Sequence, residues 1–96
     1  VKVVEFADEA KADVARVDAW WRANRRAAPD LFTNELDKVT LALEDNPALG
    51  LHYEPRPGVR RMLLRRTRYH LYFVEEVERV LVVAVWSAYR GRGPSL

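Results

Sequence analysis

Apolar residues recur at Ala10, Val14, Val17 and Trp21, the i, i+4, i+7, i+11 spacing that lines one face of a helix. The helix is predicted from Asp8, read as its N-cap with Glu9 in the first turn, to about Asn24. Lys11, Arg16, Asp18 and Arg22 fall on the water side. Trp20 flanks the stripe beside Trp21, and two adjacent tryptophans cannot both enter one core. One is therefore read as core and the other as a contact for a partner. After a break at Asn24–Ala28, a second stripe of Phe32, Leu36, Val39 and Leu43, with Leu31 and Leu41 beside it, predicts a second helix. Pro29 suits its first position, and Asn46-Pro47 ends it near Asp45, because the residue before proline is pushed out of the helical region. Two helices with so short a break form an antiparallel hairpin.

The remaining apolar positions follow strand periods. Val1–Phe6 is short, β-branched and aromatic. Pro47–Gly58, with three prolines and two glycines, is loop chemistry, with His52 and Tyr53 inside it. Val59–Val74 reads as two strands joined by a turn at Arg66-Thr67-Arg68. The second of them points Tyr69, Leu71 and Phe73 to one face and His70, Tyr72 and Val74 to the other. Glu75–Glu78 is an acidic loop. Val80–Trp86 is a near-continuous apolar run, which predicts a strand buried on both faces at the sheet centre, with Val82 to Val85 almost completely buried. Ser87–Leu96 is a basic, irregular tail. The predicted order is β-α-α-β-β-β, an α+β domain over residues 1–96. In it a helical hairpin packs on one face of a small, twisted, mostly antiparallel sheet.

Composition narrows the class. With 49% hydrophobic and 31% charged residues in 96, the chain can bury one core and is not disordered. Cysteine is absent, which removes disulfides and thiolate metal sites. No apolar run reaches membrane-spanning length and no signal peptide is visible, so a cytoplasmic protein without a membrane partner is expected. The net charge of +2 hides an asymmetry. Residues 1–54 carry eleven acidic and seven basic side chains, net −4, and residues 55–96 carry three and nine, net +6. No acidic residue lies between Pro55 and Val74, where Arg56, Arg60, Arg61, Arg65, Arg66 and Arg68 stand among aromatic residues. Such a patch suits a polyanion or an acidic partner, and arginine grips phosphate or carboxylate with a planar fork.

Familiar catalytic patterns are missing. The four glycines fit no phosphate-loop spacing, the two histidines form no helical pair, and neither serine sits at a nucleophile elbow. No metal and no cofactor are expected. One chemistry stays open: cleavage of RNA by its own 2′-hydroxyl, which needs charge stabilisation, a base and a proton donor. Arg61, Arg65 and Arg90 are candidates for the first role, His70 for the base and Tyr89 for proton transfer.

The opening strand running into FADEAKADVARVDAWW, the second helix ending in ALEDNPALG, the hairpin GVRRMLLRRTRYHLYF and the final apolar strand leading into WSAYRGRGP occur in one order. In these features the chain resembles the RelE/ParE family of toxins from bacterial type II toxin–antitoxin systems. The resemblance implies a growth-inhibitory toxin, associated with plasmid stabilisation, that a cognate antitoxin neutralises by wrapping an extended and helical tail around it. Val14, Val17, Trp20, Trp21 and Leu36 are then expected to meet the antitoxin, and operator DNA is met only through the antitoxin. Arg60, Arg61, Arg65, Arg66, Arg68, Tyr89, Arg90 and Arg92 are expected to meet the target.

RelE-like members cut messenger RNA on the ribosome, whereas ParE-like members interfere with DNA gyrase and usually lack the nuclease residues. Here the only lysines are Lys2, Lys11 and Lys38, none of them in the hairpin, and no histidine follows His70. These departures from the RelE pattern favour a ParE-like protein that is not an enzyme. The alternatives are a RelE-like messenger RNA endonuclease and a noncatalytic RNA-binding module built from arginines and exposed aromatics.

Overall fold

The computed structural model describes residues 1–96. Strand β1 (Val3–Phe6) leads into helices α1 (Asp8–Asn24) and α2 (Leu31–Asp45). A short 3-10 turn (Pro47–Leu49) then precedes β2 (Leu51–His52), β3 (Val59–Leu64), β4 (Tyr69–Glu75) and β5 (Arg79–Ser87). The sheet order is β1-β5-β4-β3-β2, with β1 parallel to β5 and all other pairs antiparallel. The helices cover one face of this mixed sheet, which is the expected α+β architecture.

The helical stripes do what their spacing predicts. Ala10, Val17 and Trp21 of α1 and Phe32, Leu36 and Leu43 of α2 are buried against Leu64, Leu71, Phe73, Val80, Val82 and Val85. Each large side chain in this core contributes roughly 1.5–3 kcal/mol by leaving water. The helix starts differ from expectation. The N-cap of α1 is Ala7, in extended conformation and without a side-chain cap, so Asp8 lies inside the first turn and acts there through its charge. Pro29 lies in the turn before α2, whose N-cap is Asp30. The Asp30 carboxylate does not cap its own helix. It pairs instead with Arg22 of α1 at 2.8 Å and ties the hairpin across its turn.

The strands also depart from expectation in three places. The stretch read as a plain loop contains β2, too short for any periodicity to reveal, which pairs Leu51 with Arg61 and His52 with Arg60. Gly50 brings the chain into it, and a Cβ there would stand 2.3 Å from the Phe73 ring. The middle strand is β4, and β5 is its interior neighbour. Finally, Tyr72 pairs with Ala84 but Phe73 with Val82, so Val83 is an extra residue on β5. This bulge places Val80, Val82 and Val85 in the helical-side core, while Val83 and Ala84 fall in a second cluster on the open face. Val83 is therefore only half-buried, unlike its neighbours Val82 and Val85.

Beyond Phe6, β5 has no strand on its β1 side. The carboxylate of Asp13 takes over there, accepting the Val85 N–H at 3.0 Å. On the open face, Val59, Tyr72 and Ala84 form the smaller cluster, covered by Tyr53, Val74, Trp86 and Leu96. The tail thus folds back over the sheet instead of leaving it.

Candidate functional site

The arginine hairpin is positioned from α2. Glu35 reaches the turn between β3 and β4, where it accepts the Arg66 N–H at 2.7 Å, the Thr67 N–H at 3.0 Å and the Thr67 hydroxyl at 2.7 Å. Thr67 is the one polar residue that is buried. A carboxylate receiving three donors satisfies a turn that would otherwise bury unpaired amides. Arg68 follows in the left-handed region at φ 66°, and its carbonyl accepts the Ala88 N–H at 2.8 Å, joining the turn to the start of the tail.

The basic side chains divide into two populations. Every ion pair in the molecule belongs to Lys2, Arg16, Arg22 or Arg79. Arg56, Arg60, Arg61, Arg65, Arg66, Arg68, Arg90 and Arg92 have no carboxylate partner. Several are held by neutral groups instead. Arg60 donates to the Gly50 carbonyl at 3.1 Å, and Arg61 lies over the Tyr53 ring at 5.5 Å with Tyr72 Oη 3.5 Å away. Arg68 lies over Tyr89 at 5.8 Å and Arg90 over Trp86 at 4.3 Å. Cation–π contacts hold a guanidinium in place while leaving its charge uncompensated.

Three of these arginines line a polar cleft of about 230 Å³ where β3, β4 and the tail meet. Arg61, His70, Arg90 and Arg92 line it, with Tyr72, Trp86 and the backbone of Gly91 and Gly93, and no carboxylate is present. Trp86 Nε1 donates to the Arg92 carbonyl at 2.8 Å and fixes the tail across the cleft. Gly93 crosses over Tyr53 so closely that a Cβ would lie 2.0 Å from the phenol oxygen. Partial burial, followed by the charges of Arg61 and Arg68, lowers the His70 pKa below its ordinary 6.5, so the ring is neutral at neutral pH.

Of the nuclease candidates, Arg61, His70 and Arg90 are brought together. Arg65 is not among them. It lines a neighbouring groove of about 460 Å³ with Leu49, Leu51, Leu63 and Arg68, which Arg61 also borders. Tyr89 is 78% exposed and is absent from the cleft lining. Arg66 is exposed in the turn, and Arg60 is drawn toward Gly50. Sequence reasoning missed Glu35, Tyr53, Tyr72 and Trp86 as builders of this site. Only the Gly91/Gly93 pair gave any signal, as a break in the basic tail.

Among the residues expected to meet the antitoxin, Val17, Trp21 and Leu36 are core side chains that expose almost no surface. Val14 and Trp20 are accessible. Trp20, 44% exposed, carries Arg25 over its ring at 5.0 Å. Val14 opens onto a groove of about 520 Å³ between β1 and the two helices, which only the rim of Leu36 reaches. No cluster of three or more His, Cys, Asp or Glu side chains could hold a metal ion, and no helix is long and apolar enough to cross a membrane.

A helical hairpin on one face of a five-stranded mixed sheet is an architecture found in solved proteins. A chain described as "Chromosomal ParDE TA system from P. aeruginosa" superposes with a TM-score of 0.73 at 15% identity, covering 90% of this chain and 95% of that one. That likeness shows the fold. No curated protein sequence matches the chain. Its family is shown by the sequence itself: the family described as ParE toxin of type II toxin-antitoxin system, parDE, matches residues 4–90, and the chain belongs to it.

Proposed function

We propose that this ParE-family toxin interferes with DNA gyrase in the cytoplasm without catalysing a reaction, and that a cognate antitoxin neutralises it. The observation that carries this reading is a cationic face whose cleft lacks the expected proton donor to complement a base. The cleft gathers arginines around a neutral His70, yet Tyr89 is absent from its lining and no carboxylate lies within it. General acid–base cleavage needs two groups within hydrogen-bond reach of the reacting oxygens. Binding to a protein–DNA complex needs only the charge and the aromatic contacts. The target surface comprises Arg60, Arg61, Arg65, Arg66, Arg68, Arg90 and Arg92, with Tyr89 exposed at its edge.

The antitoxin is expected at Trp20 and at the groove beside Val14, where an amphipathic segment finds apolar surface next to Lys11. The purified protein should reduce gyrase supercoiling or trap its cleavage complex, and expression alone should arrest growth that antitoxin co-expression restores. Normal growth with soluble protein present would defeat the toxin reading, and normal gyrase activity would defeat the target.

A second reading is favoured by one arrangement: His70, Arg61 and Arg90 share a cleft, as a base and charge stabilisers would. Added to translating ribosomes, a nuclease would produce codon-phased messenger RNA ends that vanish in His70→Ala. The first reading expects intact messenger RNA.

A further inference from the structure

The cleft formed by β3, β4 and the tail is unusual in what surrounds it. Three guanidinium groups, of Arg61, Arg90 and Arg92, line it without a carboxylate partner. The backbone amides of Gly91, Arg92 and Gly93, in the same wall, donate to no acceptor in the protein. Successive free amides in a glycine-rich turn form a concavity suited to an anion. The aromatic floor and the Trp86–Arg92 tether hold these donors in place before any ligand arrives.

We propose that this cleft binds one phosphate of a nucleic-acid backbone, held by Arg61, Arg90 and Arg92 and by the free amides of residues 91–93. The inference deepens the reading of the arginine face as a target surface and does not depend on gyrase being that target. Arginine forks and backbone amides are the groups that contact phosphate oxygens in nucleic-acid complexes, where they position without reading sequence. The volume of about 230 Å³ and the continuation of the arginine face beyond it suit a phosphodiester whose sugars extend along the sheet.

His70 reports on occupancy. In the free protein the groups facing it are Arg61 and Arg68, with Arg90 and Arg92 across the cleft, and no carboxylate opposes them. An anion placed among these charges offsets their repulsion and raises the His70 pKa. Binding therefore takes up a proton, and affinity increases as the pH falls toward the free-state pKa.

The test is a nuclear magnetic resonance titration of the isotope-labelled full chain at low ionic strength. The probes are sulfate, thymidylyl-thymidine and uridylyl-uridine, with the matching nucleosides lacking the phosphate. Expected are localised shifts of the Gly91 and Gly93 amides and of the His70 ring with both dinucleotides, a raised His70 pKa, and no comparable shifts with nucleosides. Arg61→Gln combined with Arg90→Gln should weaken dinucleotide binding about tenfold or more, because charge-assisted hydrogen bonds are lost. Arg25→Gln combined with Arg26→Gln, the same charge change on the α1–α2 connection, should alter it less than about twofold through screened electrostatics.

Equal losses in both variants, shifts spread over all the arginines, or an unmoved His70 would overturn the site. Binding of sulfate with exclusion of both dinucleotides would also overturn it, by leaving a free-anion site. The gyrase assay on the unaltered protein is decided separately, so failure of the target reading leaves these signals intact.

Discussion

Glu35 Oε1 accepts both the backbone N–H and the hydroxyl of Thr67, at 3.0 and 2.7 Å, joining α2 to the turn between β3 and β4. Glu35→Ala should leave the Arg66 and Thr67 amides without acceptors and destabilise the fold by about 1–3 kcal/mol. Hydrogen exchange at those two amides should accelerate more than urea denaturation of the whole domain accounts for. Unchanged exchange would mean that the turn holds itself.

Val82 and Val83 are adjacent on β5 and face opposite sides by strand alternation, and the bulge then keeps Ala84 on the side of Val83. Val82→Asp should place an unpaired charge in the core and cost several kcal/mol, most of what a small domain has. Val83→Asp, half-buried on the open face, should remain folded with a lowered melting temperature. Equal unfolding of the two variants would contradict the placement of Val82 in the core and Val83 on the open face.

Arg68 is the only residue other than glycine with a positive φ. An L side chain there is strained by roughly 1–2 kcal/mol, which glycine avoids. Arg68→Gly should therefore hold or raise the melting temperature while weakening target inhibition. A fall in both would show that the guanidinium stabilises the turn through Tyr89.

The lowered His70 pKa has a consequence for stability. The unfolded chain takes up a proton as the pH falls through the ordinary value of 6.5, whereas the folded ring resists until lower pH. Stability is thus full above that value, declines between the unfolded and folded pKa, and levels off below. His70→Gln should flatten this part of a denaturation-versus-pH curve without changing the decline at carboxylate pH.

Gly93 and Tyr53 cannot both stay in place if a methyl group is added between them. Gly93→Ala should lift the tail, raise its protease sensitivity and change Trp86 fluorescence. Adding Tyr53→Ala should restore the docked tail. Persistence of the defect in the double variant would locate its cause elsewhere.

How much of this was legible in the sequence depended on the range of each interaction. The stripes of α1 and α2 and the alternation of Tyr69–Val74 were readable, because periodicity is local and survives in any tertiary setting. The cap at Ala7 was not, since a well-placed Asp8 gives the same residue pattern whether it caps or follows the cap. The bulge at Val83 left no trace in an all-apolar run. The cluster of unpaired arginines followed from the missing acids between Pro55 and Val74, but which arginines converge did not. Arg90 and Arg92 join Arg61 only through the tail's return over Trp86 and Tyr53. Glu35 was invisible for the same reason, as its partners lie 31 and 32 residues away.

The parallel pairing of β1 with β5 has a consequence in time. Val3 finds its partner at Arg79, so the first strand made must wait for the last before the sheet can close. Until β5 is available the hairpin helices have no complete surface to bury their stripes against, and the tail that builds the arginine cleft has not yet been synthesised. Contacts this distant along the chain delay folding, since the intervening loop must be closed before they form. The folded cationic face therefore arises only after translation is almost over.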